Sequence, residues 1–159
     1  MLSTGTVSQP IIHQLLMISK KYLSIFADVS KDIPLDRYHY VLIYIYEHKE
    51  RLTQKDLADY FHVDKSFMVN MIDYLSKTGF VYRETGLEDK RKHLIKLTEK
   101  AHQYIPKIND AIVETNQLAL SNIPGAHQSI FLEVIQQMEI NLNINNNHII
   151  TIDYRKSKI

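Results

Sequence analysis

The chain has no cysteine and no tryptophan among its 159 residues. Without thiols it can form no disulfide framework, no thiolate metal site and no cysteine redox sensor. Four glycines, widely scattered, exclude a glycine-rich phosphate loop. No nucleophile elbow and no spaced pair of catalytic carboxylates occurs, so no catalytic residue is assigned and the chain reads as a non-enzyme. No window holds ~18 consecutive apolar residues, so nothing reads as a membrane span. Met1 to Thr6 lacks a basic segment followed by an apolar run, so no secretory signal is recognised and the expected compartment is the cytoplasm. Neither charge sign dominates: 19 basic residues face 18 acidic ones, for a net charge of +1. Any surface for a polyanion must therefore be local.

What is present is a chain of one-domain length, expected to be a single domain over 1–159. Such a chain buries ~68–70% of its unfolded surface and needs no staples. Ile11, Ile12, Leu15, Leu16, Ile18, Tyr22, Leu23, Ile25 and Phe26 recur at helical spacing. They predict an amphipathic helix, with Ser8 as its cap and Pro10 in its first turn. A second helix is expected from Asp36 to His48, apolar nearly all round and hence central. Thr53 and Asp56 form a capping-box pattern opening a third helix. Asp64 is the expected cap of a fourth, which turns Met68, Met71, Ile72 and Leu75 inward and ends at Gly79.

Phe80–Arg83 and His93–Leu97 predict two short strands around a polar tip, a hairpin. Thr98 caps a long fifth helix containing Pro106. Gln128 to Leu142 predicts a sixth. The fold class is mainly α with a small β-hairpin wing: a winged helix-turn-helix plus a helical dimerisation region. Eight histidines raise the question of a metal, but no two lie at i, i+3 or i, i+4, so no metal ligand set is assigned.

From Leu35 to Ala101 the chain resembles the MarR family of bacterial winged-helix transcriptional regulators. The residues that carry the likeness are Leu52-Thr53-Gln54-Lys55-Asp56-Leu57-Ala58, Val63-Asp64-Lys65-Ser66, Leu75-Ser76-Lys77-Thr78-Gly79-Phe80-Val81, and Asp89-Lys90-Arg91 ahead of Leu97-Thr98-Glu99-Lys100. The resemblance implies a DNA-binding lobe over 35–100. It also implies a dimerisation region built from 8–31 with 101–143, and an obligate homodimer. Two recognition helices would enter successive major grooves of a pseudo-palindromic operator in double-stranded DNA, about 34–36 Å apart. It further implies a repressor released by a small-molecule effector, with no cofactor.

On that frame Lys65, Ser66, Val69 and Asn70 share the outer face of the fourth helix. Ser66 can bond phosphate or a base edge, and Asn70 can pair with adenine through two bonds. Thr53, Gln54 and Lys55 sit at a helix N-terminus, a natural phosphate site. Arg91 suits the narrow minor groove, with Asp89 directing its guanidinium and Lys90 adding phosphate charge. Phe67 and Val69 depart from the family pattern, where threonine is frequent; so does Asn70, where arginine is frequent. Phe67 and Val69 can only touch a thymine methyl or pack. A ligand cavity is expected to draw on His13, Met17, Tyr38, Tyr40 and Tyr44. The alternative is a protein-interaction or structural module on the same fold that has lost operator binding.

Overall fold

The computed structural model describes residues 10–86, 92–143, 148–154 and 156. Ser8, the expected first cap, and Asp89, Lys90 and Arg91 of the wing lie outside the described residues. Among the described residues, six helices and one hairpin follow in the order α1 (Ile11–Val29), α2 (His39–Glu47), α3 (Gln54–Tyr60), α4 (Lys65–Lys77), β1 (Val81–Thr85), β2 (His93–Leu97), α5 (Glu99–Ala119) and α6 (Gly125–Leu142). This is the winged-helix class expected from the sequence.

Local chemistry sets most of the boundaries. Thr53 accepts from the Asp56 amide at 3.2 Å, and Asp56 accepts from the Thr53 amide at 2.8 Å, so both arms of the capping box form. Asp64 caps α4 through the Phe67 amide, and Thr98 caps α5 through the Ala101 amide. Gly79 has φ +79°, which only glycine adopts without cost. Its amide donates to Ser76, and that of Phe80 donates to Leu75. Those two bonds are a Schellman ending for α4.

Three helix starts differ from expectation. Tyr38 is left-handed at φ 69°, so α2 starts at His39 rather than Asp36. Pro10 stands at the N-cap of α1 and gives it no side-chain bond. Pro124 plays the same part for α6, which starts at Gly125.

The two strands pair antiparallel, Val81 with Leu97 through Thr85 with His93. The Ile95 amide donates to the Leu52 carbonyl and Thr53 bridges to Leu94, so the entry to α3 is stitched to the base of the wing. The core runs through α2, α3, α4, both strands and the first half of α5. Leu42, Ile45, Leu57, Met68, Ile72, Leu75, Phe80, Ile95 and Ile108 are fully buried within it. Among the described residues no helix is long and apolar enough to cross a membrane.

One buried polar group has a consequence for pH. His39 is 7% exposed and packs edge-on against Phe26. Burial pushes its imidazole down to about 4, against an ordinary value of 6.5. The unfolded chain therefore takes up the proton first as pH falls. The contribution is complete above the ordinary value and is lost as pH falls from there toward 4. Linkage puts the full contribution at roughly 3 kcal/mol. His39→Phe should show a flatter stability profile than the parent between neutral pH and 4.5. Urea melts at both pH values check this; equal losses in the two proteins would contradict it.

Candidate nucleic-acid interface

The helix-turn-helix is α3 and α4, joined by a tight turn at His62, whose φ is 49°. The side chains at 66, 70, 73 and 77 fall on one face of α4 by helical spacing. That face is opposite Met68, Met71, Ile72 and Leu75, which are buried. Lys65, Ser66, Val69, Asn70 and Lys77 are exposed. Phe67 is half-buried and packs against the core.

Asp73 is bound within the protein. Arg83, on β1, donates to it at 2.7 Å and donates to the Gln54 side-chain carbonyl at 3.0 and 3.3 Å. One guanidinium thus clasps the first residue of α3, the middle of α4 and the wing. Its rigid fork suits that task in a way lysine's point charge does not. Gln54, expected to face phosphate, has its carbonyl committed to this clasp. Thr53 is committed to the capping box, whose hydrogen bonds hold the Asp56 carboxyl below the usual carboxylate range. Lys55 is exposed beside them.

Glu50 fixes the other end of the wing. It sits in a left-handed turn at φ 56°, accepts from the Leu97 amide at 3.0 Å, and meets His102 Nε2 of α5 at 3.0 Å. Lys100 donates to the Thr78 carbonyl at 2.8 Å and lies over the Phe80 ring. Helix α4, the strands and α5 therefore form one braced unit. Arg83 and Glu50 were not singled out from the sequence.

The five residues expected at a ligand cavity separate. Tyr38 and Tyr40 line a cleft of about 1130 Å³ beside α1 and α2. His13 and Met17 lie on the exposed face of α1. Tyr44 stacks on Tyr60 at 3.7 Å instead. The Tyr40 hydroxyl meets that of Tyr60 at 3.5 Å; this hydrogen bond, then burial, pushes Tyr40 up to about 12. Among the described residues no group of three or more His, Asp or Glu side chains could hold a metal ion.

Residues 32–92 match the sequence model of the MarR family. Among solved structures, the chain is similar to the transcriptional regulator SlyA, with 26% identity and a TM-score of 0.76. That match covers 84% of this chain and 94% of the other. A MarR family regulator from Listeria monocytogenes, in complex with a 26-mer DNA, is 22% identical with a TM-score of 0.75, covering 84% and 89%. The apo form of MarR from E. coli is 17% identical with a TM-score of 0.65, covering 82% and 97%.

Proposed function

We infer, from a chain of MarR family type whose fold is that of the family's winged-helix regulators, that it binds DNA sequence-specifically as a homodimeric repressor released by a small ligand. The observation that carries the DNA-binding reading is the exposed face of Lys65, Ser66, Val69 and Asn70 on α4, braced to α3 and the wing by Arg83. Braced groups lose little freedom on binding, and the Asp73 carboxylate on the same face is occupied by Arg83. The DNA complex of the Listeria relative supports the same reading. The N-terminus of α3, with exposed Lys55, serves as a phosphate contact, and Asp89, Lys90 and Arg91 serve the minor groove. Footprinting on DNA upstream of the chain's own gene should show two protected half-sites about one helical turn apart. Uniform protection with no half-sites would contradict the sequence-specific part.

The dimer is supported by what α1 and α6 leave uncovered. α6 buries none of its residues, although Ile130, Phe131, Leu132, Val134, Ile140 and Leu142 are each at least 50% exposed. Ile12 and Ile18 of α1 are similarly bare. Monomers rarely expose contiguous apolar surface of this kind. Burying it is worth ~25 cal/mol per Å², which a partner copy supplies. The dimerisation region is accordingly α1, the far end of α5, and α6. Sedimentation at micromolar concentration should give a dimer, and a monomer there would overturn the assignment. Packed Phe67 and apolar Val69 favour one second reading, an interaction module without an operator; it predicts no preference for upstream over random DNA.

A further inference from the structure

The outer edge of the hairpin is closed by the turn between α2 and α3. Among the described residues, β2 pairs with β1 on one side only. On its other side two alternate amides find partners in the turn. The Ile95 amide donates to the Leu52 carbonyl, and the Leu97 amide donates to the Glu50 carboxylate at 3.0 Å. An open strand edge leaves such amides unpaired, so the turn takes the place of a third strand. One of its two acceptors is a side chain, and that one needs holding.

Glu50 reaches the edge from strained backbone. Lys49 and Glu50 are both left-handed, at φ 54° and 56°. Such residues persist only where their surroundings over-determine them. Here the further hold is His102 of α5, whose Nε2 lies 3.0 Å from Glu50 Oε1. The carboxylate is 20% exposed and the imidazole 38%, so water screens the pair only in part. The Tyr46 ring faces His102 edge-on from α2 at 6.0 Å, and Glu99 precedes it by one turn on α5. Lys49 and Arg51 flank Glu50 and are exposed. His93 stands at the opposite end of β2. Lys96 of β2 is paired with Glu84, and Lys100 of α5 donates to the Thr78 carbonyl. A neutral imidazole can donate through Nε2, but an imidazolium donates with its charge, and charge-assisted bonds are about twice as strong. Histidine is the side chain suited to that change between pH 5 and 8.

We propose that Glu50 and His102 are a positioning pair for the hairpin, whose hold on β2 tightens when His102 takes up a proton, so that DNA binding strengthens as pH falls from about 8 to about 6. Both residues act through the Leu97 amide rather than by touching DNA. The proposal rests on the DNA-binding reading above, and its first test uses no DNA.

That test is hydrogen exchange at the Leu97 amide in the free, full chain at about pH 6. His102→Gln keeps a neutral donor at nearly the same reach and should speed exchange about threefold or more over the parent. His102→Arg keeps a permanent cation and should leave exchange slow. In a Glu50→Gln background, His102 and its Gln replacement should exchange alike, which isolates the pair. Equal rates in the parent and His102→Gln would overturn the pair. The second test is affinity for DNA from upstream of the chain's own gene at the two pH values. His102 is one of eight histidines, so the comparison is made between proteins and not between pH values alone. The ratio of affinities, low pH over high, should be about threefold or more larger in the parent than in either His102 variant. Equal ratios in all three would overturn the coupling to DNA. A chain that binds no DNA at either pH would contradict the DNA-binding reading instead, and the exchange rates would still decide the pair.

Discussion

Phe80→Ala is expected to destabilise the protein by about 3–5 kcal/mol, the range for deleting a buried aromatic ring. Phe80 is 0% exposed and stands where α4 ends and β1 begins. Its ring lies 6.0 Å from that of Tyr104, with the Lys100 ammonium 4.5 Å above it. Its carbonyl accepts from the Thr98 amide and hydroxyl. The ring is thus the packing point between α4, the hairpin and α5. A domain's whole stability is only about 5–15 kcal/mol, so the variant should populate unfolded chains near body temperature. Phe80→Leu keeps most of the volume and should cost under about 1.5 kcal/mol. Urea melts of both variants check the pair. A loss below about 1 kcal/mol for Phe80→Ala would mean the junction is not packed as described.

Asn70→Ala and Arg91→Ala are expected to weaken DNA binding in different ways. Asn70 is on the exposed face of α4, where a two-bond contact to adenine is possible. Its loss should cost ~1–3 kcal/mol per half-site and relax preference at one operator position. Binding to random DNA should hardly change. Arg91 carries its role from the likeness of Asp89-Lys90-Arg91 to the family's wing. A minor-groove arginine reads width and potential rather than base identity. Arg91→Ala should therefore weaken operator and random DNA alike, and lower the salt slope by ~1 per half-site. Titrations of both variants on both DNAs at two salt concentrations separate the roles. If Arg91→Ala leaves all four affinities unchanged, the wing is not a DNA contact.

The features legible in the sequence are those fixed by neighbours a few residues apart. Thr53 with Asp56, Asp64, Gly79 and Thr98 each act within one helical turn, and all five stand where the pattern put them. The Arg83 clasp was not legible. Its partners lie 29 and 10 residues away, and nothing in a lone arginine on a short strand selects them. Glu50 is the same case, 47 residues from the amide it accepts.

Phe67 can be read either as a thymine contact or as packing, and its half-buried place against the core is compatible with both. The ligand set failed to converge for a different reason. The apolar arc of the first helix is wide enough to serve both this chain and a partner copy. Periodicity alone does not say which side His13 and Met17 take. The C-terminal segment carries no periodic signal at all, so its place across the cleft follows only from tertiary structure.

The most direct test of the account is a salt series for the full chain on DNA from upstream of its own gene, beside random DNA of equal length. The account predicts that log affinity falls linearly with log salt, with a slope of about −0.9 per phosphate neutralised. It also predicts a preference of ~10³ or more for the upstream site at physiological salt. Equal affinity for the two DNAs, or no binding even at low salt, would contradict it.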